Sequence, residues 1–164
     1  MSKSCIVVAD GSRARFFSLD PASPRAHELG PLLIEQESLI SEMQHRHHPG
    51  DVVEEADHSR AASGGAGRND DTTRTDHDRE IQRKFAAEVI GHAAKWVTEW
   101  DAKSVIFVAD ARMLGELRKH MGRLRNVAIR EEICEVSWMP ATELYAWLSE
   151  SGVISRRLPV HVSH

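Results

Sequence analysis

The strongest constraint on the fold is a short phrase that occurs twice in the chain. Residues 6–10 read IVVAD and are followed by Gly-Ser-Arg, whereas residues 106–110 read IFVAD and are followed by Ala-Arg. Each phrase is a continuous apolar run that ends in Ala-Asp, as expected for a strand covered on both faces. The second phrase leads into a helical pattern that extends to about Arg125. The sequence therefore predicts two buried strands, each ending at an aspartate, that frame everything between them.

The N-terminal part of the chain predicts only strands. An apolar strand over 4–9 is followed by the turn signal DGS and by a second strand over 14–19, so the pair should form a hairpin. Residues 32–40 (LLIEQESLI) fit either a strand or the start of a helix, and we favour a strand through about Glu37.

The C-terminal part alternates helices with strands. The longest helix is predicted over 79–100, with a wide apolar face and with Thr75 or Asp76 as its cap. After the second Ala-Asp strand and its helix, residues 127–136 predict a further strand, and Pro140 opens a short helix. This alternation is typical of parallel strands joined by right-handed crossovers.

The predicted fold class is α/β, with one mixed sheet that carries helices on both faces. A single domain should cover residues 1–152, followed by a C-terminal tail at 153–164, because 164 residues suffice to bury one substantial core.

The N-terminal apolar run is too short for a signal peptide, and no run reaches the length of a membrane span. We therefore expect a cytoplasmic protein. Its net charge of −4 gives no bulk attraction to nucleic acid or to an anionic membrane.

A long polar segment separates the two halves. Residues 41–78 hold nine acidic residues, four arginines and five of the ten histidines, with few apolar residues, which predicts a mobile loop. Its histidine cluster, His45, His47 and His48, lies near several carboxylates and could bind Zn²⁺ or Ni²⁺. A hydrated polar loop is the alternative, since a metal site needs supported ligands.

The two cysteines, Cys5 and Cys134, both lie among apolar β-forming residues. Such cysteines are most often unreactive core residues, because reactive thiols need cationic, partly exposed surroundings. A single disulfide between them is the alternative. The four tryptophans also predict core packing, although one or two could line a subunit interface in a homo-oligomer.

Four motifs in order over residues 4–150 resemble the bacterial host attachment protein family, whose members are described as required for attachment to host cells. They are VVADGSRARFF, a Gly/Asp-rich segment running into DHDREIQRKFAAEV, VIFVADARMLGELRK and MPATELYAWL. That family is similar to the middle domain of eukaryotic and archaeal peptide-release factors, so the resemblance implies a ribonuclease-H-like α/β fold. Release factors use a Gly-Gly-Gln tripeptide for peptidyl-tRNA hydrolysis. Here Gly64-Gly65 is followed by Ala66, which does not support that activity.

Asp10 and Asp110 are candidates for chemistry because ligands of α/β sheets bind at the carboxyl ends of strands. A ribonuclease-H-like nuclease would use several converging carboxylates to hold two metal ions. An aspartate at a strand end is equally an ordinary turn residue or helix cap.

A basic segment is the second candidate site. Its cations, with two from the first hairpin, could face RNA phosphates if the two Ala-Asp strands are neighbours. They are Arg13, Arg15, Arg112, Arg118, Lys119 and Arg123. No aromatic residue is interleaved among them for base stacking. A solvated helix face whose cations pair with acids elsewhere is the alternative.

The sequence thus favours a cytoplasmic, non-enzymatic domain that binds a macromolecule, with RNA or the ribosome as the partner and no cofactor. It has no Walker loop, and its glycine group does not follow a strand as a dinucleotide site requires. The alternatives are a metal-dependent hydrolase or nuclease that uses the strand-end carboxylates, and a protein with a metal-binding histidine-rich loop.

Overall fold

A computed structural model describes residues 3–20, 28–29, 32–42, 67–154 and 158–159. The elements, in chain order, are β1 (Ser4–Ala9), β2 (Arg13–Asp20), β3 (Glu28–Leu29), β4 (Leu32–Ile40), α1 (Gly67–Trp100), β5 (Ser104–Ala109), α2 (Ala111–Arg118), a 3-10 turn (Met121–Arg123), β6 (Ala128–Ile133), α3 (Ala141–Glu150) and β7 (Leu158–Pro159). The predicted α/β class and the predicted order of the main elements are confirmed.

The main sheet has five strands in the order β4-β2-β1-β5-β6. β2 is antiparallel to both of its neighbours, whereas β1, β5 and β6 run parallel to one another, so the sheet is mixed. The two Ala-Asp strands are adjacent and in register, with Ala9 opposite Ala109. The short strands β3 and β7 form a separate antiparallel pair.

Helices cover the sheet on both faces, and successive residues of β1 and β5 alternate between them. Val7 and Phe107 point to the face covered by α1 and α2, whose core residues include Phe85 and Leu114. The intervening residues point to the face covered by α3, in a cluster with members Ile6, Val8, Phe17, Ile106, Val108, Leu144 and Leu148. Double-sided burial explains why these two strands read as continuous apolar runs.

β4 contains a β-bulge that changes the direction of its side chains. Phe16 lies opposite Glu37 and Phe17 lies opposite Glu35, which leaves Gln36 as the extra residue. As a result Glu35 shares the face of α3, whereas Glu37, two residues later, shares the face of α1. This break in the alternation explains why residues 32–40 were ambiguous in sequence, and the strand continues past the predicted end to Ile40.

On the α1 side, Glu37 joins the edge strand to the longest helix. Its carboxylate accepts a hydrogen bond of 2.7 Å from the Trp96 indole and lies 2.9 Å from His92 Nδ1. Burial raises the pKa of Glu37, but the contacts with His92 and Trp96 outweigh burial, so the pKa is below its ordinary value.

Two predicted helix boundaries were wrong. α1 begins at Gly67 rather than near Arg79, so the predicted caps Thr75 and Asp76 lie inside the helix. Residues 67–78 (GRNDDTTRTDHD) contain no large apolar side chain, so they show no hydrophobic periodicity from which a helix could be predicted. α2 ends at Arg118, and a separate 3-10 turn replaces its predicted last turn.

Other predictions had mixed outcomes. Trp138 is 65% exposed, so it is not the core residue that was predicted, whereas Trp96, Trp100 and Trp147 pack against the two core clusters. Residues 43–66, with the predicted ligands His45, His47 and His48, lie outside the described residues.

Over the part of the chain that the structure describes, no helix is long and apolar enough to cross a membrane.

The cysteines are free and lie on opposite sides of the sheet. Cys5 belongs to the cluster under α1 and α2, whereas Cys134 packs against the cluster under α3. Burial raises the pKa of the Cys5 thiol to about 12, so it carries almost no thiolate at neutral pH. The alternative of a disulfide between them is therefore wrong.

This placement predicts selective labelling. A thiol reagent at mildly alkaline pH should modify Cys134 in the folded protein and reach Cys5 only after unfolding, because Cys5 is fully buried. Mass spectrometry of Cys5→Ala and Cys134→Ala, each of which leaves one thiol, measures the two rates. Equal rates in the folded proteins would contradict the prediction.

Candidate functional site at the carboxyl edge of the sheet

Asp10 and Asp110 directly follow two paired residues, Ala9 and Ala109. The two aspartates therefore lie side by side at the carboxyl edge of the sheet, as expected of neighbouring Ala-Asp strands. Their hydrogen bonds show what each carboxylate does there.

Asp10 closes the turn of the first hairpin. Its Oδ1 accepts hydrogen bonds from the backbone N–H groups of Ser12 (2.6 Å) and Arg13 (2.8 Å). Its Oδ2 accepts a hydrogen bond from the hydroxyl of Ser137. Both carboxylate oxygens thus bind groups of the protein itself, in the geometry of an Asx turn.

Asp110 is the N-cap of α2. Its Oδ1 accepts a hydrogen bond of 2.8 Å from the backbone N–H of Met113, which would otherwise lack an intrahelical partner. In the described residues, no three His, Cys, Asp or Glu side chains converge as a metal site would require. The geometry of Asp10 and Asp110 is therefore accounted for by turn formation and capping.

Arg15 is 9% exposed and lies on the α3 side of the sheet. Its guanidinium donates two hydrogen bonds, of 2.8 and 2.9 Å, to the Glu35 carboxylate. It also donates to the backbone carbonyls of Ser137 (3.3 Å) and Met139, and it stacks 5.0 Å from the Phe17 ring centroid. Arg15 therefore joins the segment before α3 to the first hairpin and to the edge strand.

The pairing of Arg15 with Glu35 changes the titration of the carboxylate. The hydrogen bonds from Arg15 are the largest influence and hold the pKa of Glu35 below its ordinary value, against the opposing effect of burial. A charged Glu35 in turn compensates a guanidinium that is almost removed from water.

Among the described residues, four exposed cations line an open groove between α1 and α2, which has a volume of about 560 Å³. The described residues that line it are all polar and mostly charged: Asp76, Arg79, Glu80, Gln82, Arg83, Arg112, Glu116 and Lys119. The groove borders the Asp10 turn, since a Cβ atom added to Gly11 would lie 3.2 Å from Gln82 Nε2. We call this feature the α1–α2 groove.

Some cations of the α1–α2 groove are paired. Arg83 lies 2.6 Å from Glu80 and Lys119 lies 3.0 Å from Glu116, both as i,i+3 pairs. Arg112 forms no ion pair with any residue that the structure describes. Exposed pairs of this kind contribute little to stability, so their cations can exchange partners at small cost.

The structure distributes the predicted site residues over three places. Arg112 and Lys119 lie in the α1–α2 groove, with Arg118 and Arg123 on the same exposed segment. Arg118 pairs with Glu131 at 2.8 Å, and Arg123 donates a long hydrogen bond of 3.4 Å to the Ala87 carbonyl. Arg13 is half-buried beside Asp10, and Arg15 is buried on the other face.

Sequence reasoning missed the contribution of α1 to the groove. Arg79 and Arg83 line it, but they precede α2 by about thirty residues and belong to a different motif. Their spacing of four residues on a predicted helix was the available signal, because it places two cations on one helical face.

The Arg15–Glu35 pair predicts a pH-dependent change in stability. Glu35→Gln should lower the free energy of unfolding near neutral pH by about 1–3 kcal/mol, because Arg15 loses its charged partner. The folded-state pKa of Glu35 is lowered, so its stabilisation is present above the ordinary value of 4.5 and is lost as the pH falls through the folded value.

Urea unfolding as a function of pH measures this effect. The difference between the wild type and Glu35→Gln should shrink as the pH falls below 4.5. Glu88→Gln, at an exposed position of α1, is the control and should change little. A difference that stays constant into acid would show that the Glu35 charge is not the stabilising feature.

The cap made by Asp110 gives a second prediction. Asp110→Ala should destabilise the protein by about 0.5–2 kcal/mol, whereas Asp110→Asn should be nearly neutral, because asparagine caps a helix about as well as aspartate. Thermal or urea unfolding of both variants measures the difference. Equal destabilisation by the two substitutions would indicate that the negative charge matters rather than the cap.

Comparison with known proteins agrees with the family resemblance of the motifs. A protein-family model described as "Protein required for attachment to host cells" matches residues 5–148, a span that begins in β1 and ends in α3. No curated protein matches the chain significantly. Because the matched region covers most of the 164 residues, the chain belongs to the host attachment protein family.

Proposed function

We propose that this member of the host attachment family is a cytoplasmic, non-enzymatic domain that binds RNA, free or within the ribosome, through the α1–α2 groove. The observation that carries the proposal is the gathering of cations from two helices along one open groove: Arg79, Arg83, Arg112 and Lys119. Guanidinium groups bind phosphate with paired hydrogen bonds, and each phosphate contact releases counterions from the nucleic acid.

The acidic residues of the groove set the character of this binding. Asp76, Glu80 and Glu116 offset much of the positive charge, so only a few phosphates can be bound at once. The unpaired Arg112 is available at once, whereas Lys119 and Arg83 must exchange a carboxylate for a phosphate. We therefore expect modest affinity and a shallow salt dependence.

None of the described residues that line the groove is aromatic. Bases therefore have no surface on which to stack, and recognition should depend on the phosphate backbone more than on sequence. An RNA-binding role inside the cell would influence attachment to a host indirectly.

A ribonuclease-H-like fold of the release-factor middle-domain type is part of the proposal. The support is the strand order β4-β2-β1-β5-β6 with β2 as the single antiparallel strand, together with helices on both faces. The metal-dependent hydrolase alternative, with Asp10 and Asp110, is less favoured because both carboxylates bind backbone N–H groups. The metal-binding alternative rests on His45, His47 and His48, outside the described residues.

A charge reversal in the groove tests the proposal. Arg112→Glu should weaken RNA binding several-fold and lower the magnitude of the salt slope by about one, because one phosphate contact is lost. Co-sedimentation with purified ribosomes, and filter binding with total RNA, across a salt series provide the measurements. The protein is first purified with nuclease treatment.

The matched control is Lys103→Glu, which makes the same charge change at an exposed residue outside the groove. It should leave the affinity and the salt slope nearly unchanged. An equal loss of RNA affinity in Arg112→Glu and Lys103→Glu would show that the affinity depends on the net charge of the protein and not on the groove. No binding by the wild type at low salt would refute the RNA proposal.

A further inference from the structure

In the part of the chain that the structure describes, no strand pairs with the outer edge of β6. Among the described residues it pairs only with β5, in parallel. The N–H groups of Ala128 and Cys134 donate to carbonyls at either end of that pairing, those of Lys103 and Ala109, each at 3.0 Å. Because peptide groups of successive residues point to alternate edges of a strand, the even-numbered residues face β5. The N–H and C=O groups of the odd-numbered residues point outward: Ile129, Glu131 and Ile133.

The side chains of β6 divide between the two faces of the sheet. The odd-numbered residues share the α2 face, since Glu131 lies opposite Phe107 and binds Arg118 of α2. Ile129 and Ile133 are 38% and 67% exposed on that face. Arg130 and Glu132 share the α3 face, where they form an ion pair of 2.9 Å.

We propose that β6 pairs antiparallel with β6 of a second copy of this chain, about a two-fold axis that passes through Glu131. In this register Ile129 of each copy lies opposite Ile133 of the other, and Arg130 lies opposite Glu132. Every residue with an outward N–H group is then opposite another such residue, so each of these pairs can exchange two backbone hydrogen bonds. One continuous sheet runs through both copies.

The side chains select this register over its neighbours. A shift of the axis to position 130 places Arg130 opposite Arg130 and Ile129 opposite Glu131. A shift to position 132 places Glu132 opposite Glu132 and Ile133 opposite Glu131. Like charges directly opposite are destabilising, whereas opposite charges and apolar pairs stabilise.

Glu131 meets its own copy at the axis, and this is the only like-charge pair of the proposed register. Each Glu131 carboxylate already accepts hydrogen bonds of 2.8–3.0 Å from Arg118. Arg118 lowers the pKa of Glu131 and offsets its charge, so the two carboxylates meet as parts of two ion pairs. Charged residues on an edge strand ordinarily prevent pairing. Here the same charges disfavour the two adjacent registers and leave the proposed one.

The contact involves little more than one strand from each copy. Interfaces of this size lie at the small end of the specific range, so we expect a reversible dimer that dissociates on dilution. The proposal is independent of RNA binding, because none of the residues that line the α1–α2 groove belongs to β6.

Charge reversal on β6 tests the interface. Arg130→Glu places glutamates opposite each other in the dimer, and Glu132→Arg places arginines opposite each other. Each variant should raise the dimer dissociation constant at least about tenfold. Sedimentation velocity from micromolar to near-millimolar protein measures the constant, and circular dichroism with thermal unfolding confirms that each variant is folded.

Mixing the two variants distinguishes the effect of charge pairs across the interface from the effect of losing the Arg130–Glu132 ion pair within one chain. Both variants lack the Arg130–Glu132 pair within the chain, but a heterodimer of Arg130→Glu with Glu132→Arg has opposite charges across the strands at both ends. Mixing should therefore restore dimerisation. If the mixture stays monomeric while the wild type dimerises, the proposed register is wrong.

A backbone variant provides the second test. Glu131→Pro removes an outward N–H group without affecting the hydrogen bonds to β5, so it should abolish dimerisation and leave the monomer folded. Glu131→Gln loses the same carboxylate but keeps the N–H group, and it should still dimerise. A wild type that remains monomeric throughout, or a dimer unaffected by Glu131→Pro, would overturn the proposal.

Discussion

The in-register parallel pairing of β1 with β5 is the interaction on which the rest of the structure depends. Every residue of these strands from the second position onward is buried, and alternate side chains supply the centres of both cores. The hairpin partner β2, the edge strand β6 and the three helices that the structure describes pack onto this pair directly or through one neighbour. Because the two strands end together, the turn at Asp10 and the helix start at Asp110 are also brought side by side.

Polar contacts then hold the edge strand β4 and the segment before α3 in place. Arg15 is the clearest case, since one guanidinium binds a carboxylate of the edge strand and two carbonyls of the segment before α3. A planar donor group with five N–H bonds is suited to such a junction. The cost of burying it is met because nearly every donor has a partner. Arg118 and Lys119, by contrast, pair with partly exposed carboxylates and stay accessible to solvent.

Much of the fold could be predicted because its main strands have strong local patterns. The Ala-Asp repeat predicted two buried strands, and the apolar face of α1 predicted the longest helix. The first turns of α1 could not be predicted, since their side chains have no apolar periodicity. The role of Arg15 could not be predicted from the sequence either. An arginine in a strand near other basic residues resembles an exposed cation, and its partners Glu35 and Met139 are distant in sequence. The groove could not be predicted either, because it lies between two helices whose relative position is set by the tertiary structure.

The bulge at Gln36 affects how the protein unfolds. An edge strand whose side chains contact the helices on only one face of the sheet can unpair while the helices on the other face stay packed. In β4, Glu35 is bound to the α3 side through Arg15, and Glu37 is bound to the α1 side through Trp96 and His92. Detaching β4 would therefore break a polar contact in each layer at once. One inserted residue thus makes a peripheral strand part of the same cooperative unit as the centre of the sheet.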